Sequence, residues 1–149
     1  MEQATNPDAW KNSVRFLIVD DEQPIRKLVM GRLKQEGFKG MMFEASNGED
    51  ALNIYLEKEI DVIICDWNMP KLSGIEFVEK VRRGAGAENL AILMVTGESV
   101  MGKIEQALEQ GVDDYLVKPF APEDFKRKID KIMVRIKKKK MGMGTSGTV

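Results

Sequence analysis

Histidine is absent from the 149-residue sequence, and cysteine occurs only once. Without histidine, the chain cannot carry a serine–histidine triad, a histidine-ligated zinc ion or a phosphohistidine. Cys65 cannot form an internal disulfide, and it ends an apolar segment next to Asp66, so we interpret it as a buried side chain rather than a reactive thiol. Any catalytic chemistry must come from carboxylates, lysine, threonine, tyrosine or a bound metal.

Long apolar runs are also missing. No stretch approaches the roughly 18 residues of a membrane span, and the first residues lack the basic and apolar regions of a signal peptide. A hydrophobic share of 43% and a charged share of 32% are ordinary for a globular protein, and the length suits one domain. We therefore expect one domain in the reducing cytoplasm, without membrane insertion.

The net charge of -1 is unevenly distributed. Residues 126–140 contain a single acid, Asp130, and nine basic residues: Lys126, Arg127, Lys128, Lys131, Arg135, Lys137, Lys138, Lys139 and Lys140. Cations are favoured at a helix carboxyl end, so we interpret this stretch as a solvated helix terminus. An acidic protein partner is the next interpretation, and charge-driven binding of nucleic acid or anionic lipid remains an alternative.

Strand and helix patterns alternate five times along the chain. The apolar runs predict strands at 15–20, 41–45, 61–65, 90–95 and 113–117. Apolar spacings of three and four predict helices near 24–36, 48–58, 74–83, 99–110 and 122–138. Continuous apolar strands are typical of a parallel sheet covered on both faces. The predicted fold is therefore a three-layer, doubly wound α/β sandwich with a five-stranded parallel sheet.

Both ends of the chain differ in composition from this body. Residues 1–13 are polar and show no periodicity, so they are predicted to form a flexible extension before a folded domain at 14–138. Residues 139–149 are predicted to form a flexible basic and glycine-rich tail. Within the body, Gly37 and Gly111 indicate helix ends, and the sequence from Ser73 to Glu76 has the spacing of a capping box.

Polar residues follow four of the predicted strands. Asp20 ends the first strand and Asp21 follows it, and Asp66 comes after the third strand, Thr96 after the fourth and Lys118 after the fifth. Parallel strands bring these positions to one edge of the sheet, where three crowded carboxylates would repel one another. Bound Mg2+ would relieve that repulsion, because hard cations prefer oxygen ligands.

These residues, with the run from Asp66 to Pro70 and Lys118-Pro119, resemble the site of response-regulator receiver domains of two-component signalling. Chemotaxis-type single-domain (CheY-like) regulators are especially similar. The resemblance covers residues 14 to 138 and implies the flavodoxin-like strand order 2-1-3-4-5, an order that is a known example for such regulators. It also implies a phosphoacceptor signalling protein that is not a turnover enzyme, with a phosphohistidine kinase as donor.

The resemblance assigns roles to single residues. Asp66 would accept the phosphoryl group. Asp21, Asp66 and the backbone carbonyl of Asn68 would bind Mg2+, which Asp20 would reach through a water molecule. Lys118 and Thr96 would bind phosphoryl oxygens, as expected where charge neutralisation supplies most of the catalysis.

Two further roles follow from the same resemblance. The side chains of Asn68 and Glu98 would tune hydrolysis of the aspartyl phosphate. Tyr115 would act as an aromatic switch, whose ring turns inward when Thr96 moves toward the phosphoryl group. The output surface would be formed by the fourth helix, the fifth strand and the fifth helix, and would bind a downstream protein. A monomer or weak dimer is expected.

Other functions remain open at this point. A receiver could serve another phosphorelay, bind nucleic acid by charge alone, or act only as a scaffold. A magnesium-dependent phosphatase of the haloacid-dehalogenase type also uses a strand-end aspartate, but such enzymes carry a second aspartate where this chain has Asn68. We therefore favour a switch over a phosphatase.

Overall fold

The computed structural model of the chain describes residues 6–84, 86–97 and 101–142. Ten elements alternate along it: β1 (Phe16–Val19), α1 (Gln23–Gln35), β2 (Met42–Ala45), α2 (Gly48–Glu57), β3 (Val62–Asp66), α3 (Gly74–Arg82), β4 (Ala91–Thr96), α4 (Met101–Glu109), β5 (Asp114–Val117) and α5 (Pro122–Lys140). Short 3-10 helices cover Ala9–Ser13 and Ala87–Asn89. The predicted alternation is confirmed, with boundaries that shift by only a few residues.

The five strands form one parallel sheet in the order β2-β1-β3-β4-β5. This order confirms the doubly wound fold. From β1 the chain first adds β2 on one side, and β3 then pairs with the other side of β1. The direction of winding therefore reverses between β1 and β3, and a crevice opens at the carboxyl ends of these strands, where such sheets bind ligands.

Helices cover both faces of the sheet. One face of β1, β3 and β4 packs against α1 and α5 through residues such as Leu33 and Ile129. The other face packs against α2, α3 and α4, where Phe77 is a fully buried contact. The strands β1, β3 and β4 are buried along their whole length, which explains their continuous apolar sequences. No helix in the described part of the chain combines the length and hydropathy that a membrane span requires.

The predicted helix boundaries rest on local chemistry that the structure shows. Ser73 and Glu76 form a reciprocal capping box at the start of α3. Pro122 occupies the first turn of α5, where its missing N–H is not needed. Gly37 and Gly111 have φ angles of 96° and 108°, so each adopts the left-handed conformation that ends a helix.

The amino-terminal segment differs from its prediction. Residues 9–13 were expected to be flexible, but they form a 3-10 helix packed against the domain. The Trp10 ring lies edge-on to Phe38 with centroids 5.9 Å apart, and Lys11 Nζ donates to the Glu36 carbonyl at 2.8 Å. Lys11 thereby binds an otherwise unpaired carbonyl at the end of α1. The sequence shows no periodicity here because these contacts are all tertiary.

The basic helix α5 also differs from its prediction. It continues to Lys140 rather than ending at 138. Most of its basic side chains are exposed, as the prediction of a solvated helix terminus requires, but several of them also form ion pairs. The pairs join Lys126 to Glu36 and Asp130, Arg127 to Asp124, Lys128 and Lys131 to Asp114, Arg135 to Asp113, and Lys140 to Asp61. Acids of the acidic body, together with Asp124 and Asp130 of α5 itself, therefore offset much of the positive charge of this helix.

Arg82 connects several segments at the amino-terminal edge of the sheet. Its guanidinium donates to the carbonyls of Gly111, Ala87 and Leu90, and it pairs with Asp113 at 3.0 Å. These carbonyls lie outside the α-helices and strands, so they lack the backbone N–H donors of regular structure, and the Arg82 guanidinium supplies donors instead.

Replacing Arg82 by alanine should lower the free energy of unfolding by about 2 to 4 kcal/mol, because several carbonyls lose their donor at once. Denaturant unfolding measures the change. Arg83→Ala is the matched control, since Arg83 is exposed and should change stability by no more than about 0.5 kcal/mol. Equal stability of the two variants would contradict the role given to Arg82.

Candidate functional site

Four chemically active side chains meet at the carboxyl edge of the sheet. Asp20 follows β1, Asp66 ends β3, Thr96 ends β4, and all three are buried. Asp21 is exposed beside them, and the carboxylates of Asp20, Asp21 and Asp66 can place ligand oxygens within 4.8 Å of one another. The convergence predicted from the strand ends is therefore present.

Lys118 is positioned at the centre of this cluster. It follows β5, its backbone N–H donates to the Thr96 carbonyl at 2.7 Å, and the Lys118–Pro119 peptide bond is cis. Lys118 Nζ lies 3.0 Å from Asp20 Oδ2 and 3.4 Å from Asp66 Oδ2. One ammonium group thus pairs with two carboxylates that come from different strands.

The pKa values of Asp66 and Lys118 are set by burial and by neighbouring charges. Burial raises the pKa of Asp66, and the charge of Asp20 raises it further, while Lys118 and the backbone of Asn68 offset only part of the increase. Burial on its own would lower the pKa of Lys118, but the bonds to Asp20 and the charge of Asp66 raise it overall. Lys118 therefore stays charged, and Asp66 is a carboxylate in an unfavourable environment.

The loop that carries Asp20 and Asp21 is held by residues that the sequence did not indicate. Arg26 on α1 donates to the Asp20 carbonyl at 2.7 Å and pairs with Glu44 on β2 at 2.9 Å. The backbone N–H of Glu22 donates to Asp20 Oδ1 at 2.9 Å. The sequence did contain a signal for this contact: an acidic residue, Glu44, in the predicted second strand, and two adjacent basic residues, Arg26 and Lys27, in the helix before it.

The loop after Asp66 is fixed by two close backbone contacts. A Cβ at Gly74 would overlap the carbonyl oxygen of Asp66, and a Cβ at Gly48 would overlap the carbonyl oxygen of Leu72. Glycine is therefore required where α3 and α2 begin against this loop. The half-buried Trp67 packs on the helices of that face. The geometry of the loop is set by packing and not by its own sequence alone.

An open cleft of about 380 Å³ lies over the acidic cluster. Its lining brings together Asp21, Glu22, Asp66, Asn68, Gly97 and Lys118. Asn68 is exposed there, as its predicted role requires. Glu98, the other residue predicted to tune hydrolysis, lies outside the described residues.

Tyr115, the predicted switch residue, lies next to the site on β5. It is half-buried, and one side of its environment is the core shared with α2, α3 and α4. Lys128 Nζ of α5 lies 4.8 Å from its ring centroid. The neighbouring Asp114 is buried and pairs with Lys128, a contact that no pattern in the sequence predicts. The signal for this contact in the sequence was limited to an acidic residue, Asp114, directly before the apolar residues of the fifth strand.

The donor set fits a magnesium ion. Three carboxylates provide hard oxygen ligands, and the open cleft above them leaves room for water and for a phosphoryl group. The thiol of the adjacent Cys65 takes no part, because burial, with the charges of Asp66 and Asp20, raises its pKa well above the ordinary value. It stays protonated and donates to the Asp66 carbonyl at 3.2 Å.

Fold and site together define a flavodoxin-like α/β protein with an acidic site at the point where the strand order reverses. The sequence matches the family described as "Response regulator receiver domain" over residues 16–130. The chain therefore belongs to the response regulator receiver domain family. Members of this family are signalling proteins that bind Mg2+ at an acidic pocket.

Chemotaxis proteins are among the relatives. The chemotaxis protein CheY of Pseudomonas aeruginosa is 37% identical over 123 residues, which are 83% of this chain and 98% of that protein. The solved structure of the chemotaxis response regulator CheY4 of Vibrio cholerae has a TM-score of 0.73 and 34% identity, covering 80% of this chain and 98% of that one. The Escherichia coli phosphate regulon transcriptional regulatory protein PhoB is 36% identical over 82% of this chain, but only 52% of PhoB is covered.

Replacing Asp66 by asparagine should stabilise the protein in magnesium-free buffer at pH 7. The folded-state pKa of Asp66 is raised, so stability is lost as the pH rises from the unfolded-state value of about 3.9 through the folded-state value. A neutral amide avoids this loss. The melting temperature should rise by about 2–4 °C for each kcal/mol relieved.

The difference between the Asp66→Asn variant and the wild type should vanish below about pH 4, where Asp66 is protonated in both states. Lys118→Met is the opposing control, because it leaves two buried carboxylates without their cation and should lower the melting temperature. An Asp66→Asn variant that melts below the wild type at pH 7 would show that the site is not destabilised by its own charges.

Proposed function

We propose that the chain is a phosphoacceptor switch in which Asp66 accepts a phosphoryl group. The observation that carries this proposal is the pairing of Lys118 with both Asp20 and Asp66 beneath an open cleft. A buried carboxylate with a raised pKa, next to a fixed cation, is the arrangement expected of a nucleophile whose product is an anion. We assign residues 14–138 to the receiver unit.

The reaction transfers a phosphoryl group from a phosphohistidine on a separate kinase. A carboxylate oxygen of Asp66 forms a bond to phosphorus while the phosphorus–nitrogen bond of the donor breaks. The bonding electron pair leaves with the imidazole nitrogen, which takes up a proton. Lys118 stabilises the negative charge on the phosphoryl oxygens, and Thr96 donates a hydrogen bond to another of them. The chain needs no histidine of its own.

The metal would be held by Asp21 and Asp66 directly, with the backbone carbonyl of Asn68 as a further ligand and Asp20 in an outer position. Bound Mg2+ would supply positive charge that offsets the crowded carboxylates and the phosphoryl oxygens. Arg26 donates to the backbone carbonyl of Asp20 and so holds the loop that carries Asp20 and Asp21 next to the end of β3. The side chains of Asn68 and Glu98 would control how water reaches the aspartyl phosphate.

The output is proposed to be a change in the surface formed by α4, β5 and α5, with Tyr115 as the coupling side chain and a downstream protein as the target. Chemotaxis is the favoured context, because the chain covers nearly the whole length of CheY relatives from two organisms. The identity to a transcriptional regulator is similar, so the degree of identity alone does not favour chemotaxis over another output. We place the protein in the cytoplasm, as a monomer or weak dimer.

Phosphoryl-analogue binding tests the acceptor assignment. Adding Mg2+ and beryllium fluoride should change the fluorescence of Trp67, which flanks Asp66, and a small-molecule phosphodonor should give the same change. The Trp10→Phe background removes the other tryptophan. An Asp66→Asn variant should lose the response, since the amide cannot form the acyl link. A full response in that variant would overturn the assignment.

Magnesium affinity tests the role of Arg26. Arg26→Met should weaken Mg2+ binding about tenfold, because groups that orient ligands from an outer position commonly contribute this much. Lys27→Met is the matched control: Lys27 also pairs with Glu44, at 3.2 Å, but it is exposed and its contact lies away from Asp20. Its affinity should stay within about twofold of the wild type, as for other exposed ion pairs. Titration followed by Trp67 fluorescence measures both, and equal losses would contradict the assignment.

A further inference from the structure

Asp114 is a carboxylate buried inside the sheet edge at the start of β5, with 5% of its surface exposed. Such a group needs partners, because an unpaired buried charge is strongly destabilising. Lys128 Nζ donates to Oδ1 at 3.0 Å, and the Tyr115 backbone N–H donates to the same oxygen at 2.8 Å. Lys131 Nζ lies 3.1 Å from Oδ2 as an ion pair without hydrogen-bond geometry.

The two lysines differ in what else they contact. Lys131 is exposed, whereas the side chain of Lys128 is only 19% exposed and its Nζ lies over the Tyr115 ring, 4.8 Å from the centroid. An ammonium at this distance is attracted to the ring face. Asp114 therefore fixes the cation, and the cation contacts the ring. These contacts lower the pKa of Asp114 against the effect of its burial, so the acid stays ionised.

We propose that Asp114 and Lys128 form a clasp that holds the Tyr115 ring in its observed orientation and so sets how readily the switch responds to phosphorylation. The clasp joins β5 to α5, within the proposed output surface. This inference rests on the proposed role of Tyr115 as the switch residue. It adds to that role two residues of this chain that regulate the equilibrium without touching the phosphoryl group.

The direction of the effect follows from the contacts. We take the half-buried orientation of the ring as the resting state. An inward turn would move the ring away from Lys128 Nζ, which Asp114 holds in place, so the clasp favours the observed orientation. Removing the cation should therefore increase the population of the inward state about 2- to 5-fold, the range expected for one partly exposed cation–π contact. A ligand that selects a minor state gains apparent affinity by the same factor.

The test compares Lys128→Met with Lys131→Met. Both variants remove one positive charge that pairs with Asp114, but only the first removes the cation from the ring. The midpoint for beryllium fluoride, measured by Trp67 fluorescence at saturating Mg2+, should fall about 2- to 5-fold in Lys128→Met. It should be unchanged in Lys131→Met and in Lys128→Arg, which keeps a cation in place.

Fluorine NMR reports the ring itself. The chain has two tyrosines, Tyr55 and Tyr115, so 3-fluorotyrosine labelling gives two resonances that a Tyr55→Phe variant assigns. The Tyr115 resonance of the wild type should shift on addition of Mg2+ and beryllium fluoride. If the Lys128→Met variant does not fold, the double variant Asp114→Asn/Lys128→Met takes its place. The double variant removes the charge of the buried acid together with that of its partner.

The outcomes separate the two proposals. If the wild-type Tyr115 resonance does not respond although Trp67 does, the switch role is wrong and the clasp falls with it. If the Tyr115 resonance responds but Lys128→Met and Lys131→Met have the same beryllium fluoride midpoint, the clasp is overturned and the switch stands. A lower midpoint in Lys128→Met alone supports the clasp.

Discussion

Lys118 lies between two carboxylates that come from different strands, and this contact links the carboxyl ends of β1, β3 and β5. Asp20 and Asp66 are both buried, so without the ammonium their charges would push the strand ends apart. The contact does not remove the strain entirely, because the pKa of Asp66 remains raised. A divalent cation would offset the remaining repulsion between these carboxylates. The phosphoryl transfer proposed for Asp66 would change the balance of charge around Lys118.

The two edges of the sheet differ in how their charged side chains are arranged. At the amino-terminal edge, Arg82 donates to several loop carbonyls, and Lys140 pairs with Asp61, which itself accepts from the Arg15 backbone. Such charge-assisted contacts stabilise irregular backbone. At the carboxyl edge the acids are crowded around an open cleft. The amino-terminal edge therefore carries paired charges around loop carbonyls, whereas the carboxyl edge keeps three carboxylates close together.

Helix α5 stabilises the domain and belongs to the proposed output surface. Its buried stripe, which includes Ile129, packs on the sheet, and its basic residues pair with acids of the body. This pairing weakens the case for nucleic-acid binding by charge alone, because much of the positive charge is already compensated. It also gives single lysines distinct environments: Lys128 contacts an aromatic ring, whereas Lys131 does not. Lysines that look alike in the sequence therefore have different environments in the fold.

The class of fold was predictable from the residues alone, because apolar runs of strand length and the three- and four-residue apolar spacing of helices are local patterns. Their alternation also put Asp20, Asp66, Thr96 and Lys118 at one edge of the predicted sheet. Tertiary structure decided what no local pattern encodes. Trp10 and its 3-10 helix are ordered by Phe38. Lys126 and Lys140 of α5 pair with Glu36 and Asp61, which lie far away along the chain. These contacts depend on distances between segments that only the packed sheet sets, and the burial that raises the pKa of Asp66 arises only once the chain is folded.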